Sequence, residues 1–399
     1  MPNGRRNEIE LLICCARPSL EEEDRVQIKD IARKDMDWGY ILETSLRYRV
    51  MPLLYRNLKI GDLNSVPEEA MAKLRHSYLI NAKRNILLTN ELLRILKFLD
   101  QKDIKSVPFK GPILANSLYG NVVSRQFVDL DILIPLKDII TARHLVLSQG
   151  YQDSIKLDDQ QLVKFARANS QNVLVNCNGS VFIGLHWEMS NKYISIDLNF
   201  QKLNDHFETT SVEGKTVRNL RSSDLLFYLC LHGTKHRWEN LEMICSVAEV
   251  IRSHTDMDWN RVMFLATDLR CERAIYLGLL LAQDLYGIDL PDPVMKKVLN
   301  DSRLHGIAAE VYKNLFNENK KPYGLSRIFG DLLYHINVKE NLSEKIRYCV
   351  YVALEPKVAD WVAFPLPASL SFLHYVLRPI RLWYKWGTRI PIRGLRRLI

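Results

Sequence analysis

The segment RQFVDLDILIP, Arg125 to Pro135, constrains this chain more than any other. It reads as a buried β-strand stopped by a proline, yet it carries two aspartates one residue apart. Successive strand side chains point to opposite faces, so Val128, Leu130, Ile132 and Ile134 line one face while Asp129 and Asp131 share the other. Two neighbouring carboxylates repel and raise each other's pKa unless a cation lies between them, and hard oxygen donors at that spacing suit Mg²⁺. The alternative for the segment alone is an edge strand whose polar face is simply wet.

The surrounding sequence supplies the rest of a small sheet. IKSVPF, from Ile104, reads as a short strand, KGPILANSLYG as a Gly-Pro opening followed by a helix, and Leu136 to Ser148 as a helix closed at Gly150. Residues 172 to 188 form a hairpin: NVLVN, a turn centred on Asn178 and Gly179, then VFIGLHWEM. In the second strand Val181, Ile183, Leu185 and Trp187 face one way, and Phe182, Gly184, His186 and Glu188 the other. These segments predict a mixed sheet with helices on one side. If its polar faces share a cleft, Asp129, Asp131 and Glu188 converge there as three carboxylates able to hold one or two Mg²⁺ ions.

Helices are predicted on either side of that sheet. Trp38, Ile41, Leu42 and Leu46 have helical spacing, and Ser65, Pro67 and Glu68 form a start signal for a long helix reaching Leu99, with a break near Asn81. After Ser222 the stripe Leu225, Leu229, His232 and His236 continues an apolar helix face into two histidines. Their i, i+4 spacing is that of a metal pair, but neither an intervening glutamate nor a third ligand is in view. Trp238 reads as core, and residues 255 to 350 as ordinary amphipathic helices.

FKGPILANSLYG, the Arg125 and DLDIL stretch, LHWEM, LHGTKHRW and the W…RVMPLLY element together resemble the uncharacterised nucleotidyltransferase family of the DNA polymerase β-like superfamily, over roughly residues 35 to 255. The resemblance implies an α+β fold: a small mixed β-sheet nucleotidyltransferase core (101–215) between N-terminal (1–100) and C-terminal (216–360) helical regions, with a basic aromatic tail (361–399). It implies that Asp129 and Asp131 bind metal, Mg²⁺ or Mn²⁺, and that the Lys110-Gly111 turn holds triphosphate, although the usual Gly-Ser pair is absent. Arg125 and Lys235 are candidates for phosphate, and His186, His232 and His236 for substrate. The family's third acid falls two residues before His-Trp, where Gly184 stands here. Glu188 is the candidate replacement, about 13 Å along the strand. Ser246 likewise stands where the family carries an aspartate. The implied activity is Mg²⁺-dependent transfer of a nucleoside monophosphate from an NTP, ATP first in expectation, to an unidentified acceptor hydroxyl. The alternative is a catalytically impaired nucleotide-binding or scaffold protein.

The charge of +9 on 399 residues is uneven: Trp361 to Ile399 carry +7 with no acid, leaving +2 for residues 1–360. A basic whole chain is therefore no argument that its body binds nucleic acid. The tail combines Trp383, Tyr384 and Trp386 with arginines, a composition suited to an anionic membrane surface, to packing as an arm, or to RNA. Seven cysteines without a CxxC pattern, and a polar, basic start, predict reduced thiols and a cytoplasmic protein, with peripheral membrane contact the alternative that the tail adds. No uncharged apolar run is long enough to span a bilayer.

Overall fold

A computed structural model describes residues 5–61, 65–189, 200–203, 207–317 and 325–387. The N-terminal helices are α1 (Arg6–Cys15), α2 (Glu22–Ala32), α3 (Trp38–Arg47), α4 (Met51–Ile60) and the long α5 (Glu68–Asp100). Asp37 caps α3 by accepting from the Tyr40 N–H at 2.9 Å. The serine start predicted for α5 is not used: Pro67 occupies the cap position and no side chain caps the helix. Nor does α5 break at Asn81. Its 33 residues run uninterrupted, and Asn81 and Asn85 reach outward to hold the loop before the aspartate strand.

The five-stranded sheet has the order β1-β2-β5-β4-β3, with β1 Val107–Pro108, β2 Asp129–Leu133, β3 Tyr151–Asp153, β4 Gln171–Asn176 and β5 Phe182–His186. Only β2 and β5 run parallel, so the sheet is mixed as expected. Between its strands lie α6 (Pro112–Tyr119), α7 (Ile139–Ser148) and α8 (Asp159–Phe165). A short α9 (Phe200–Leu203) leads to a separate hairpin, β6 (Phe207–Val212) and β7 (Lys215–Leu220), which straddles the boundary expected near residue 215.

Helices cover the sheet on both faces, not one. Leu130, Ile132 and Ile134 pack with Leu88, Leu92 and Val146 of α5 and α7, whereas Leu133, Val107 and Phe109 join a second, larger core. That core contains α1–α4 together with α10 (Ser222–Lys235), α11 (Leu241–Ser253), α12 (Trp259–Asp268), α13 (Glu272–Tyr286), α14 (Asp292–Asn300) and α15 (Leu304–Leu315). The two helical regions that the sequence separates are thus one packing unit. Tyr48 seals it by donating to the Leu315 carbonyl at 2.7 Å. The chain ends in α16 (Leu325–Val338), α17 (Leu342–Leu354), α18 (Val358–Ala363), a 3₁₀ segment (Ala368–Leu373) and α19 (His374–Gly387).

The HGTKHRW stretch has a packing explanation as well as a chemical one. Trp238 is fully buried, and its indole lies where a side chain at position 233 would be: a Cβ there would come within 2.3 Å of the ring. Gly233 lets the end of α10 close over the tryptophan. Gly233→Ala is expected to lower stability by about 1–3 kcal/mol through overpacking, read as a lower midpoint in urea unfolding.

Candidate functional site

A cleft of about 270 Å³ opens where the aspartate strand, the 110–111 turn and α10 meet. β2 enters it with alternating side chains. Asp129 stands exposed at the first position of the strand, and Asp131 is buried at the third. The expected apolar stripe is broken at its start, since Val128 is exposed.

Asp131 is held from two sides. Lys110 Nζ lies 3.0 Å from Oδ2, and His186 Nε2 lies 2.6 Å from Oδ1. Burial alone would raise this carboxyl, but Lys110 and His186 beside it hold it well below the usual carboxylate range. Burial opposes the charge of Lys110 too, and Asp131 overcomes that by raising the ammonium above its ordinary value. Asp129 is shifted the other way: desolvation inside the cleft, then the negative charge of Asp131, raise its carboxyl. One carboxylate is internally paired, and the other faces the opening.

Lys110 is placed by its turn. Gly111 has φ +52°, the left-handed region that glycine enters freely, and a Cβ there would lie 3.2 Å from the Asp129 carbonyl. The next residue, Pro112, opens α6 without an N–H, so this turn offers an anion fewer backbone donors than a non-proline turn would. Lys110 also lies over the rings of Phe109 and Tyr228 at 5.4 and 5.5 Å, which fixes its stem against aromatic faces.

An aromatic series carries the site from sheet to helix. His186 meets Phe109 edge-on at 5.1 Å, Phe109 meets Tyr228 at 5.3 Å, Tyr228 stacks on His232 at 5.7 Å, and His232 meets His236 at 4.6 Å. Burial first, then the neighbouring lysines, push both α10 histidines down, His236 to about 3 and His232 well below its ordinary value. Both imidazoles are neutral at pH 7. Among the described residues no group of three His, Cys, Asp or Glu side chains is arranged to hold a metal ion, so the histidine pair finds no third ligand. Lys235 projects into the same cleft, where burial and then Lys110 lower its ammonium to about 8.

Arg125 is less available than its position before the acids suggests. Buried at the cleft wall, it donates Nε–H to Glu242 at 2.6 Å. Glu242 also accepts from Ser246 Oγ at 2.7 Å, and Ser246 lies 2.9 Å from the Tyr119 hydroxyl. A serine at 246 therefore supports the arginine's counter-ion, where an aspartate would set a second carboxylate against Glu242. The Arg125 carbonyl accepts from Asn81 and Asn85 at 3.2 and 2.7 Å, tying the loop to α5.

The third acid is where sequence and structure part. Gly184 pairs with Asp131 across β2 and β5. A Cβ at 184 would come within 2.9 Å of both Asp131 Oδ1 and His186 Nε2, so the imidazole fills the corner that a third carboxylate would need. Glu188 does not line the cleft. β5 ends at His186, Trp187 is buried in a small core with Phe165 and Trp361, and the cleft lining resumes at Met189. Asp129 and Asp131 fit a hard divalent cation in donor type and in sharing one face, while position 184 adds no oxygen.

The sequence reading did not single out Arg49 or Tyr228, both of which line the cleft. Tyr228 lies one helical turn before His232 on the histidine stripe and was accessible to periodicity. Arg49 lies within the RVMPLLY element, which enters only as part of the family resemblance. It is exposed with φ +60°, strained for a non-glycine residue, in a turn anchored where the Tyr48 carbonyl accepts from the Glu242 N–H at 3.2 Å.

A family model described as uncharacterised nucleotidyltransferase matches residues 34–287. Among solved structures, an antigenic nucleotidyltransferase-like protein from Paracoccidioides brasiliensis is similar at 13% identity and a TM-score of 0.27, covering 51% of this chain and 97% of that one. No curated protein matches the chain.

If the imidazole fills the third corner, Gly184→Ala must displace it. The substitution is expected to cost about 1–3 kcal/mol by crowding. In the His186→Ala background it should cost measurably less, and a double-mutant cycle on urea unfolding checks this coupling.

Proposed function

Since the chain belongs to the uncharacterised nucleotidyltransferase family, we propose that it transfers a nucleoside monophosphate from an NTP to an acceptor hydroxyl, with Asp129 and Asp131 holding a divalent cation, Mg²⁺ or Mn²⁺. The observation that carries this reading is the meeting of those two carboxylates with Lys110, Arg125 and Lys235 in one cleft. Two acids beside several cations are the charge pattern that a metal-bound triphosphate requires. When bound, the cation neutralises phosphate charge and favours departure of pyrophosphate.

The chain's own residues would do the positioning. Lys110, fixed between Asp131 and two aromatic faces, presents a charge whose stem loses little freedom on binding. Lys235 adds a cation that a phosphate would strengthen by raising its pKa. Tyr228 and the neutral His232 and His236 offer an uncharged aromatic wall suited to a base or to the acceptor. Arg49 lies at the cleft edge, in reach of solvent-exposed parts of a ligand.

The corner at Gly184 favours a second reading, nucleotide binding without turnover. Isothermal titration of each NTP with Mg²⁺, followed by product analysis with candidate acceptors, separates the two. Transfer predicts metal-dependent binding and release of pyrophosphate, while binding without pyrophosphate release supports the scaffold. Under the transfer reading, Asp129→Asn is expected to reduce turnover on the order of a hundredfold or more with the fold intact by circular dichroism.

A pH profile follows from Lys235. Its ammonium is charged below about pH 8 and neutral above. Triphosphate affinity should therefore be greatest below pH 8 and fall above it by up to about tenfold per pH unit, with proton uptake on binding. Lys235→Gln should flatten that slope. An unchanged slope in this variant would remove Lys235 from the phosphate site.

A further inference from the structure

The last helices are turned inside out relative to an ordinary soluble protein. In α19 the buried positions are His374, Arg378 and Arg381, and the outward ones include Val376, Ile380 and Trp383, the indole 73% exposed. The reason is Asp360, fully buried in α18, which accepts from Arg378 Nη1 at 2.7 Å and Arg381 Nε at 2.5 Å. Arg378 also donates to the Val352 carbonyl of α17 at 2.7 Å. The His374 ring nitrogens lie 2.8 and 2.9 Å from the carbonyl oxygens of Ser371 and Phe364. Rolling α19 to hide its apolar face would carry both arginines away and leave Asp360 buried without its partners, so the apolar face stays outside.

α17 repeats the pattern. Leu342, Ile346, Val350 and Leu354, one turn apart, are exposed, while Glu344 and Tyr348 are buried. Among the described residues, fifteen of the twenty-eight exposed large hydrophobic side chains fall between Phe329 and Tyr384. Scattered apolar residues need no explanation, but a concentration of this kind marks an interaction surface. Among the described residues no helix is long and apolar enough to cross a membrane.

Charge selects the occupant. Immediately after α19 the sequence carries Arg389, Arg393, Arg396 and Arg397 without an acid. All 46 acids of the chain lie in residues 1–360, whose net charge is still +2, so a second copy offers the arginines no net negative partner. An anionic lipid surface offers both an apolar interior and phosphate headgroups, with Trp383 and Tyr384 suited to the boundary between them. We infer that the outward faces of α17 and α19, with the arginines that follow, dock this protein on an anionic bilayer surface without spanning it.

Flotation of the full chain with vesicles of phosphatidylcholine, with and without phosphatidylglycerol, tests this. Wild-type protein is expected to float with the anionic vesicles, less so at high salt. The triple variant Val376→Glu, Ile380→Glu, Trp383→Glu should lose binding to both. Replacing the four arginines by glutamine should weaken anionic binding on the order of fivefold per arginine and leave the weak zwitterionic binding unchanged. Circular dichroism and light scattering accompany each variant, so that loss of fold is told apart from loss of docking. Three outcomes overturn the inference: no flotation at low salt, equal flotation of the folded triple variant, or a lipid-free dimer that this variant splits, which would assign the face to a second copy. If the triple variant does not fold, the arginine variant decides: unchanged anionic flotation also overturns the inference.

Discussion

The buried carboxylate of Asp131 is the constraint on which the candidate site depends. A lone ionised carboxylate inside a sheet would cost several kcal/mol, and here Lys110 and His186 offset that cost from opposite sides. Each partner is then fixed in turn. Lys110 can reach Asp131 because Gly111 adopts a left-handed turn beside the Asp129 carbonyl. His186 can reach it because Gly184, one step back on the adjacent strand, leaves the space empty of side chain. The same pairing sets the chemistry: Asp129 is the more open acid, and anything cationic that binds Asp131 must share it with an ammonium already in place.

A second ion pair joins the sheet to the helical body. Arg125 and Glu242, 117 residues apart in sequence, meet at 2.6 Å, with Ser246 and Tyr119 completing the buried polar network. A network of this kind is costly when half satisfied, so it favours one docking of α11 against the aspartate loop. The turn that carries Arg49 is attached to the same place through the Tyr48 carbonyl. The cleft is therefore built by three parts of the chain, and each places a cation in it. Low dielectric in that enclosure accounts for the depressed ammonium of Lys235 and the neutral histidines of α10.

The C-terminal helices show the same logic applied to orientation. A single buried aspartate with two arginines decides which face of α19 looks outward, against the preference of its apolar residues. Hydrophobic patterning alone would assign the opposite face to the core. The orientation adopted is the one that keeps Asp360 paired, since a buried charge stripped of its partners costs about 3–5 kcal/mol.

Local signals were legible in the sequence itself. Alternation along DLDIL put Asp129 and Asp131 on one face, Asn178-Gly179 marked the hairpin, helical periodicity put His232 and His236 on one stripe of α10, and the ordered motifs pointed to the family. These depend on backbone periods that any chain must obey. What the sequence could not decide was which neighbour meets which. Glu188 and Gly184 share a strand face by alternation, yet only register and the end of β5 at His186 leave Glu188 outside the cleft. The merging of α1–α4 with α10–α15 into one core, the coupling of Arg125 to Glu242, and the inversion of α19 depend likewise on contacts between residues far apart along the chain. Only the tertiary structure decides them, because the energies of burial and ion pairing depend on distance in space and not on spacing in sequence.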